Sequence, residues 1–305
     1  MPSATPPRTD TAEDEGRYLA LRTRDARFDG QFFTGVTSTG IYCRPVCAVR
    51  TPRRENCRFF ALAAQAESAG FRPCLRCRPE VAPQALAWSV QDATTILVQQ
   101  AVRLLDASEA WGDGQGTTVA QLAQRLGVSD RHLRRIFETA LGISPLQYLQ
   151  TRRLLTAKQL LTDTAMPVTQ VALASGFGSV RRFNAAFAQH YGLNPTRLRS
   201  AGTAPGTAHR GSVRLAYRPP FDAAALLAFF AQRQFEGVEW AQADDALTLR
   251  RTVRLSVGAQ SITGWLAARF DTQRHLVLLD TSESLHPVLP QVIARVRALL
   301  DLDAD

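Results

Sequence analysis

Long apolar runs are missing from this sequence of 305 residues. No stretch approaches the roughly 18–20 consecutive apolar residues that a membrane-spanning helix needs, so we expect no membrane partner. The first residues, MPSATPPRTDTAEDEGR, lack the apolar core of a secretory signal, and we expect a polar, disordered lead-in there. Hydrophobic residues still make up 45% of the chain, so it folds around cores, and its length allows two or three domains.

Cysteine is scarce and confined to one region. Five cysteines occur, all between residues 43 and 77, and none follows. A secreted disulfide scaffold spreads its cysteines along the chain, whereas clustered cysteines in a cytosolic protein more often bind a metal. The pattern therefore predicts a cytoplasmic protein with a metal site near its N-terminus.

Basic charge is unevenly distributed within the net charge of +9. Residues 1–80 carry 13 arginines and 9 acidic residues, residues 81–200 carry 11 arginines, one lysine and 7 acidic residues, and residues 201–305 carry 11 of each sign. The excess in the first two thirds favours a polyanionic partner for that part, and charge that serves only solubility is the alternative.

Three blocks separate along the chain, and together they predict a multidomain fold. Residues 17–83 form an α+β block that contains the cysteines, residues 90–199 an all-α block, and residues 212–305 an α+β block. The linker SAGTAPGTAHRG separates the last two, and the glycine-rich loop WGDGQGT interrupts the second.

Four of the cysteines have the spacing of metal ligands. Cys43 and Cys47 form C-x3-C, and after 26 residues Cys74 and Cys77 form C-x2-C. Two such pairs predict one tetrahedral zinc ion, and four thiolates leave no position at which zinc activates water. Zinc-bound thiolates stay ionised and nucleophilic at neutral pH, so an inert structural site and a reactive one both remain open.

The segments TSTGIYCRPVC, RENC and AGFRPCLRCRPE resemble the N-terminal domain of the Ada family, the bacterial response proteins to DNA alkylation, over about residues 17–82. In that family the first cysteine of the set irreversibly removes a methyl group from a methylated DNA phosphate and stays on zinc as a thioether. The resemblance implies that Cys43 accepts the methyl group and that the other three cysteines complete the zinc site. Spacing alone does not select Cys43.

Methyl transfer would also change the charge of the zinc site. It removes one negative charge, which relieves each phosphate at roughly 8 Å of about 0.5–2 kcal/mol before salt screening. The resemblance implies the same direction, since the methylated family members bind promoters and activate repair genes, with RNA polymerase as a further partner. It also implies that Arg50 and Arg72, with Thr39 beside them, meet the DNA backbone. Solvated surface arginines are the alternative.

Cys57 is the fifth cysteine and lies in ENCRFFAL, a segment predicted to be a strand. A tetrahedral site with four ligands has no room for a fifth. We therefore expect Cys57 to be a small buried apolar residue.

Two helix pairs follow in the second block. In TTVAQLAQRLGVSDRHLRRIF, Gly127 predicts a turn and Ser129 an N-cap before an arginine-rich helix. In MPVTQVALASGFGSVRRFNAAF, Pro167 opens a helix and Gly176 makes the turn. Each pair predicts a helix-turn-helix, whose second helix enters the DNA major groove.

The paired arrangement resembles the DNA-binding domain of the AraC family over residues 90–199. It implies a double-stranded DNA partner. The candidate base readers are Arg131, His132, Arg135, Ser179, Arg181, Arg182 and Asn184. The side chains expected to face the core are Leu133, Ile136, Phe137, Phe183 and Phe187.

The third block predicts strands in SVRLAYRPP, ALTLRRTVRLSV, SITGWLAARF and RHLVLLD, and helices in DAAALLAFFAQRQF and VLPQVIARVRALLDL. It resembles the N-terminal domain of AlkA-type 3-methyladenine DNA glycosylases. That family's active site lies in the following domain, so we expect no base-excision site in this chain. The absence of cysteine after Cys77 excludes the second, guanine-repairing domain of Ada proteins.

Together these features predict a cytoplasmic, nucleoid-associated bacterial protein that repairs methylphosphotriesters once per molecule on Cys43 and regulates alkylation-repair genes. One alternative is an AraC-type transcription factor with a purely structural zinc site. Another is the regulatory part of a longer DNA glycosylase, and a third is a thiol redox sensor.

Overall fold

The computed structural model describes residues 12–83, 93–106, 118–201, 212–243, 246–257 and 260–304. The WGDGQGT loop, residues 1–11 of the polar lead-in and residues 202–211 of the predicted linker lie outside these residues. The expectation of a disordered lead-in is wrong for residues 12–17, which begin the helix Ala12–Thr23, and the first two residues of the predicted linker end the helix Pro195–Ala201. We call residues 12–83 the N-terminal unit, residues 93–201 the helical unit and residues 212–304 the C-terminal unit. Within the described residues, no helix combines the length and the apolar character that a membrane crossing requires.

The N-terminal unit is built on a four-stranded sheet of strand order β3-β1-β2-β4. β1 pairs antiparallel with β2 and β3, and β2 pairs in parallel with β4. The predicted strand around Cys57 is confirmed as β3. The elements are α1 (Ala12–Thr23), β1 (Phe33–Val36), β2 (Ile41–Cys43), β3 (Cys57–Phe60), α2 (Ala63–Ser68) and β4 (Arg72–Pro73).

The helical unit contains the two predicted helix pairs, α4–α5 and α7–α8, joined by a long central helix, α6. Gly127 and Gly176 make the turns within the pairs with φ of 70° and 79°, a backbone conformation that favours glycine. Ser129 caps α5 as predicted. The helices are α3 (Ala93–Asp106), α4 (Val119–Arg125), α5 (Asp130–Leu141), α6 (Pro145–Asp163), α7 (Val168–Ala174), α8 (Val180–Tyr191) and α9 (Pro195–Ala201).

The C-terminal unit is an antiparallel five-stranded sheet of order β5-β9-β8-β7-β6, with helices packed on it. The four predicted strands and two predicted helices are all present. The sequence interpretation missed the short strand β6. The elements are β5 (Val213–Ala216), α10 (Ala223–Arg233), β6 (Glu239–Gln242), β7 (Thr248–Val257), β8 (Gln260–Asp271), β9 (Leu276–Thr281) and α11 (Leu289–Leu299).

The boundaries between the clusters of buried apolar residues do not coincide with the predicted linkers between the units. One cluster joins α3, the first helix pair and the start of α6, up to Leu149. Another begins at Leu154 in the same helix and continues through the second pair into the C-terminal sheet. Helix α6 therefore contributes to both cores, which explains why 12 of its 19 residues are buried.

Candidate metal centre and nucleic-acid interface

The sheet of the N-terminal unit brings the two cysteine pairs together. Cys43 ends β2, and the parallel pairing of β2 with β4 continues to Cys74, whose N–H donates to the carbonyl of Tyr42 at 3.0 Å. The Sγ atoms of Cys43, Cys47, Cys74 and Cys77 all lie within 4.8 Å of one another. Residues separated by about 30 positions thus converge on one point, as their spacing predicts.

The four sulfurs fit a zinc ion. Zinc–sulfur bonds of about 2.3 Å in a tetrahedron place the sulfurs about 3.8 Å apart, and the observed cluster falls within reach of that geometry. The fifth cysteine, Cys57, is 1% exposed in β3, and its thiol donates to the carbonyl of Arg53 at 3.4 Å. The prediction that Cys57 is a buried residue outside the ligand set agrees with this position.

The four thiols shift one another's pKa values in opposite directions. The pKa of Cys74 is lowered, first by its hydrogen bond with Cys43, and the same neighbour lowers the pKa of Cys47 to about 7. The pKa of Cys77 is raised, first by its hydrogen bond with Cys43, and the pKa of Cys43 is raised, first by Cys47. Sulfurs this close ionise together only when a cation compensates their charge, which a zinc ion does.

Backbone amides donate to two of the four sulfurs. The Arg44 amide donates to Cys77 Sγ at 3.4 Å, and the Arg76 amide donates to Cys74 Sγ at 3.4 Å. Among the described residues, Cys43 Sγ and Cys47 Sγ receive no such bond. Because a donor stabilises negative charge on sulfur and lowers its nucleophilicity, Cys43 and Cys47 are the less restrained nucleophiles of the set.

Arg44 is a buried cation beside the cluster. Its Nε donates to Asp29 Oδ1 at 2.8 Å, and its Nη1 donates to the carbonyl of Cys77 at 3.0 Å. Burial opposes the charge of Arg44, but the hydrogen bond and charge of Asp29 outweigh burial and raise the pKa of the guanidinium. Arg44 therefore remains charged and compensates part of the negative charge of the sulfurs.

Lys158, the only lysine in the chain, connects α6 to the cysteine cluster. It is 1% exposed, and its Nζ donates to the carbonyl of Cys74 at 3.1 Å and to Glu80 Oε2 at 2.6 Å. Burial would raise the pKa of Glu80, but the charges of Lys158 and Arg78 outweigh burial and lower it. A buried ammonium of the helical unit thus contacts the backbone of a metal-ligating residue.

Arg78 extends this contact into the other two units. It donates to Glu80 Oε1 at 3.0 Å, to Asp163 Oδ1 at 2.6 Å and to Thr162 Oγ1 at 2.8 Å. The second oxygen of Asp163 accepts the backbone N–H of Arg214, at the start of the C-terminal sheet, at 3.1 Å. One chain of charged groups therefore joins all three units at the end of α6.

Glu67 forms a second junction between the N-terminal and helical units. Its Oε1 accepts from the Tyr42 hydroxyl at 2.9 Å, and its Oε2 accepts from the Thr151 hydroxyl at 2.7 Å. His190 Nε2, near the end of α8, lies 2.7 Å from Glu67 Oε2 with the spacing of an ion pair but without hydrogen-bond alignment. Sequence reasoning missed Glu67, Glu80 and Lys158, and the isolation of one lysine among 35 arginines was the only available signal.

The candidate phosphate contacts of the N-terminal unit are all exposed. Thr39 lies in the turn before β2, Arg50 follows the first cysteine pair, and Arg72 lies in β4. Arg72 also approaches α8, because a Cβ atom placed on Gly192 would lie 3.4 Å from its Nη1. Arg72 is therefore positioned at the boundary between the cysteine cluster and the second helix pair.

The first recognition helix, α5, exposes Arg131 and Arg135, while His132 is partly buried. Arg135 Nη2 lies 3.3 Å from His132 Nδ1, so these two side chains are within hydrogen-bonding distance of each other. The predicted core residues of this helix are buried: Leu133, Ile136 and Phe137. The helix thus has one face in the core and an arginine-bearing face in solvent.

The second recognition helix, α8, has the same division. Arg181, Arg182 and Asn184 are exposed, and Phe183 and Phe187 are buried, as predicted. The hydroxyl oxygen of Ser179 accepts the backbone N–H of Arg182 at 3.2 Å, so Ser179 caps the helix. The hydroxyl proton and the second lone pair of the Ser179 oxygen remain for its predicted contact with DNA.

Three family models match successive parts of the chain. They are the metal binding domain of Ada over residues 16–80, a helix-turn-helix domain over residues 122–201, and the AlkA N-terminal domain over residues 212–305. These matches confirm the resemblances inferred from the sequence and the predicted fold class of each part.

Curated relatives include the probable bifunctional transcriptional activator/DNA repair enzyme AlkA of Mycobacterium tuberculosis, 38% identical over 94% of this chain and 56% of that protein. The bifunctional transcriptional activator/DNA repair enzyme Ada of Escherichia coli is 31% identical over 62% of this chain and 50% of that protein. This chain thus spans about half the length of these relatives. A solved structure, titled as the methylated N-ADA/DNA complex, is 34% identical over 46% of this chain and 97% of that chain, with a TM-score of 0.22.

This chain covers a larger share of another relative, the bifunctional transcriptional activator/DNA repair enzyme AdaA of Bacillus subtilis. It is 31% identical over 60% of this chain, and the match covers 81% of AdaA. With the four-cysteine zinc centre and the two helix pairs in the same order, the chain belongs to the Ada family of transcriptional activators and DNA repair proteins.

Proposed function

We propose that Cys43 accepts one methyl group from a DNA methylphosphotriester, in the bacterial cytoplasm, and that the methylated protein activates promoters of alkylation-repair genes. The observation that carries the proposal is the cluster of four cysteine sulfurs, in which Cys43 is one of the two that receive no backbone N–H among the described residues. The resemblance to Ada, which assigns methyl transfer to the first cysteine of the set, selects Cys43 over Cys47. The relative AdaA is named both a transcriptional activator and a DNA repair enzyme, which supports the pairing of the two roles.

Methyl transfer balances without any additional reactant. A lone pair of Cys43 Sγ attacks the methyl carbon, the sulfur–carbon bond forms and the carbon–oxygen bond of the phosphotriester breaks. The bonding electrons stay on the phosphate oxygen, which becomes an ordinary phosphodiester anion. Zinc, when bound, keeps the sulfurs ionised at neutral pH so that the nucleophile needs no base. The sulfur–methyl bond of the resulting thioether is not cleaved under cellular conditions. The thiolate of Cys43 is therefore not regenerated, and each chain reacts once.

The surroundings of Cys43 suit a phosphate that has lost its charge. The sulfurs carry negative charge that Arg44 and Lys158 compensate only in part, so an ordinary phosphate is repelled more than a neutral triester. Arg50 and Arg72, with Thr39, are proposed to hold the neighbouring phosphates. Methylation removes one negative charge from the cluster and strengthens these contacts.

The two recognition helices are proposed to read promoter DNA. Arg131 and Arg135 on α5 and Arg181 and Arg182 on α8 present exposed guanidinium groups at the helix positions that enter a major groove. RNA polymerase is the proposed partner of the DNA-bound protein. No base-excision chemistry is assigned to the C-terminal unit.

The test is intact mass spectrometry under native conditions that retain zinc, after incubation with duplex DNA that contains a methylphosphotriester. A mass gain of one methyl group, mapped to Cys43 by peptide analysis, is expected. Unmodified duplex is the control substrate, and Cys57→Ala, which leaves the ligand set complete, is the matched control protein. Promoter affinity is then compared before and after methylation.

Two results would overturn the proposal. Absence of a mass gain, with zinc bound and the protein folded, would leave a transcription factor with a structural zinc site. A methyl group on another cysteine would reject the assignment of Cys43.

A further inference from the structure

The C-terminal sheet has an edge that its own strands leave open. β6 pairs with β7 only over Thr248–Arg251, and the N–H of Thr252 makes the last bond, to the carbonyl of Val238 at 2.9 Å. Beyond this point β7 continues to Val257 and, within the residues that the structure describes, pairs on one side only, with β8. The second half of β7 is therefore an edge strand.

The direction of the backbone groups on this edge follows from the register. In an antiparallel pair, alternate residues direct both their N–H and C=O groups to the same neighbour. Because Thr252 faces β6, Arg254 and Ser256 direct theirs to the open side. Among the backbone hydrogen bonds of the described residues, neither N–H has an acceptor on that side.

A groove runs between this edge and helix α11. Its volume is about 300 Å³, and its apolar lining comes from both elements and from β8. The apolar side chains are Val253, Leu255, Leu266, Val292, Val296 and Leu299. An open strand edge beside a helix, with an apolar groove between them, is the geometry in which proteins bind an extended peptide as an added strand.

The groove and the opposite face of this edge are both basic. Arg251 and Arg295 line the groove, and no acidic residue does. Arg254 lies between two of the apolar groove residues of β7, so its side chain points to the opposite face of the sheet. Arg251 is paired with Glu239 at 3.1 Å, whereas Arg254 and Arg295 are exposed and make no ion pair within the described part of the chain. An extended ligand that alternates apolar and acidic side chains therefore complements the groove on one face and Arg254 on the other.

We propose that this groove binds an extended acidic segment of a partner protein by strand addition to β7. The segment places its backbone against Arg254 and Ser256, alternate apolar side chains in the groove, and the intervening carboxylates on the opposite face, near the side chain of Arg254. A second copy of the chain is a poor occupant, because two such edges would bring like charges together. DNA has no backbone amides with which to complete the ladder. This inference is independent of methyl transfer and goes beyond the proposed function.

The experiment uses the full chain and a fluorescein-labelled ten-residue peptide that alternates glutamate and valine. Fluorescence anisotropy is expected to show saturable binding. A peptide N-methylated at alternate residues has the same side chains but lacks the ladder donors, and it should bind at least about tenfold more weakly. Amide hydrogen exchange of Arg254 and Ser256 should slow when the unmodified peptide is present.

Two variants test the protein side. Ser256→Pro removes an outward N–H from an edge position, where proline is tolerated, and Arg254→Glu reverses one charge on the face that the carboxylates of the segment meet. Each should weaken binding about tenfold. Arg269→Glu makes the same charge change at an exposed position of β8 outside the groove and should bind normally. Zinc content and promoter binding confirm that each variant is folded.

Several outcomes would overturn the proposal. They are no binding by the unmodified chain, equal binding of the N-methylated peptide, or equal losses in Arg269→Glu and Arg254→Glu. Sedimentation that shows a dimer dissociated by Ser256→Pro would assign the edge to a second copy instead. None of these results bears on the methylation of Cys43, which is measured separately.

Discussion

The ammonium of Lys158 donates to the backbone carbonyl of Cys74 at 3.1 Å and, at 2.6 Å, to the carboxylate of Glu80. This contact joins the longest helix of the described structure to a residue of the metal centre. Both charged side chains are buried, at 1% and 0% exposure. The helical unit is therefore hydrogen-bonded directly to the backbone of a metal-ligating residue.

The first prediction concerns this buried pair. Lys158→Met should lower the free energy of unfolding by about 3–5 kcal/mol, because it leaves Glu80 buried with only Arg78 as a charged partner. Chemical denaturation of the zinc-loaded protein measures the change. The double variant with Glu80→Gln removes both charges and should recover part of the loss. A loss in the double variant equal to the sum of the losses in the two single variants would contradict the pairing.

The second prediction concerns the metal. Cys74→Ala should lower the zinc content and weaken zinc affinity, because it removes one of four sulfur ligands. Cys57→Ala should retain one zinc ion per chain, since Cys57 lies in β3 and outside the cluster. Elemental analysis after dialysis against a weak chelator distinguishes them. Zinc loss by Cys57→Ala alone would show that the ligand set is wrong.

The third prediction concerns DNA recognition by α5. Arg131→Ala should weaken promoter binding by about 1–3 kcal/mol and reduce its salt dependence. Arg134 on the same helix donates to Asp130 at 2.8 Å, so Arg134→Ala is the matched control and should cost less. Titrations at two salt concentrations test the pair. A larger loss for Arg134→Ala would place the DNA on another face of α5.

The fourth prediction concerns removal of zinc. A strong chelator should destabilise the helical unit as well as the N-terminal unit, because Glu67 and Glu80 hold α6 through Thr151 and Lys158. Amide hydrogen exchange along α6 should accelerate when zinc is removed. Unchanged exchange in α6 after complete zinc loss would mean that these contacts do not depend on the metal centre.

Local sequence patterns were sufficient to predict those parts of the structure whose residues recur at a regular spacing. The helical spacing of Leu133 and Phe137 predicted their burial, and the two cysteine pairs predicted the convergence of their sulfurs. Strand β6 escaped prediction because its four residues carry no clear alternation. It is defined by pairing with β7, which only the folded chain supplies.

The contacts between units were not predictable from local sequence. Lys158 and Glu80 are 78 positions apart, and Thr151 and Glu67 are 84 apart. Each of the three charged residues by itself predicts a solvent-exposed position, since charged side chains are seldom fully buried unless they are paired. Their burial depends on a partner that is distant in sequence, so no periodicity reveals it.

Helix α6 belongs to two apolar cores that meet between Leu149 and Leu154. The N-terminal unit is hydrogen-bonded to this helix at Thr151, close to the junction of the two cores, and again at Lys158. These bonds oppose bending of α6 at the place where the two cores meet. We infer that these contacts from the N-terminal unit help to fix the relative orientation of the two helix pairs that α6 joins.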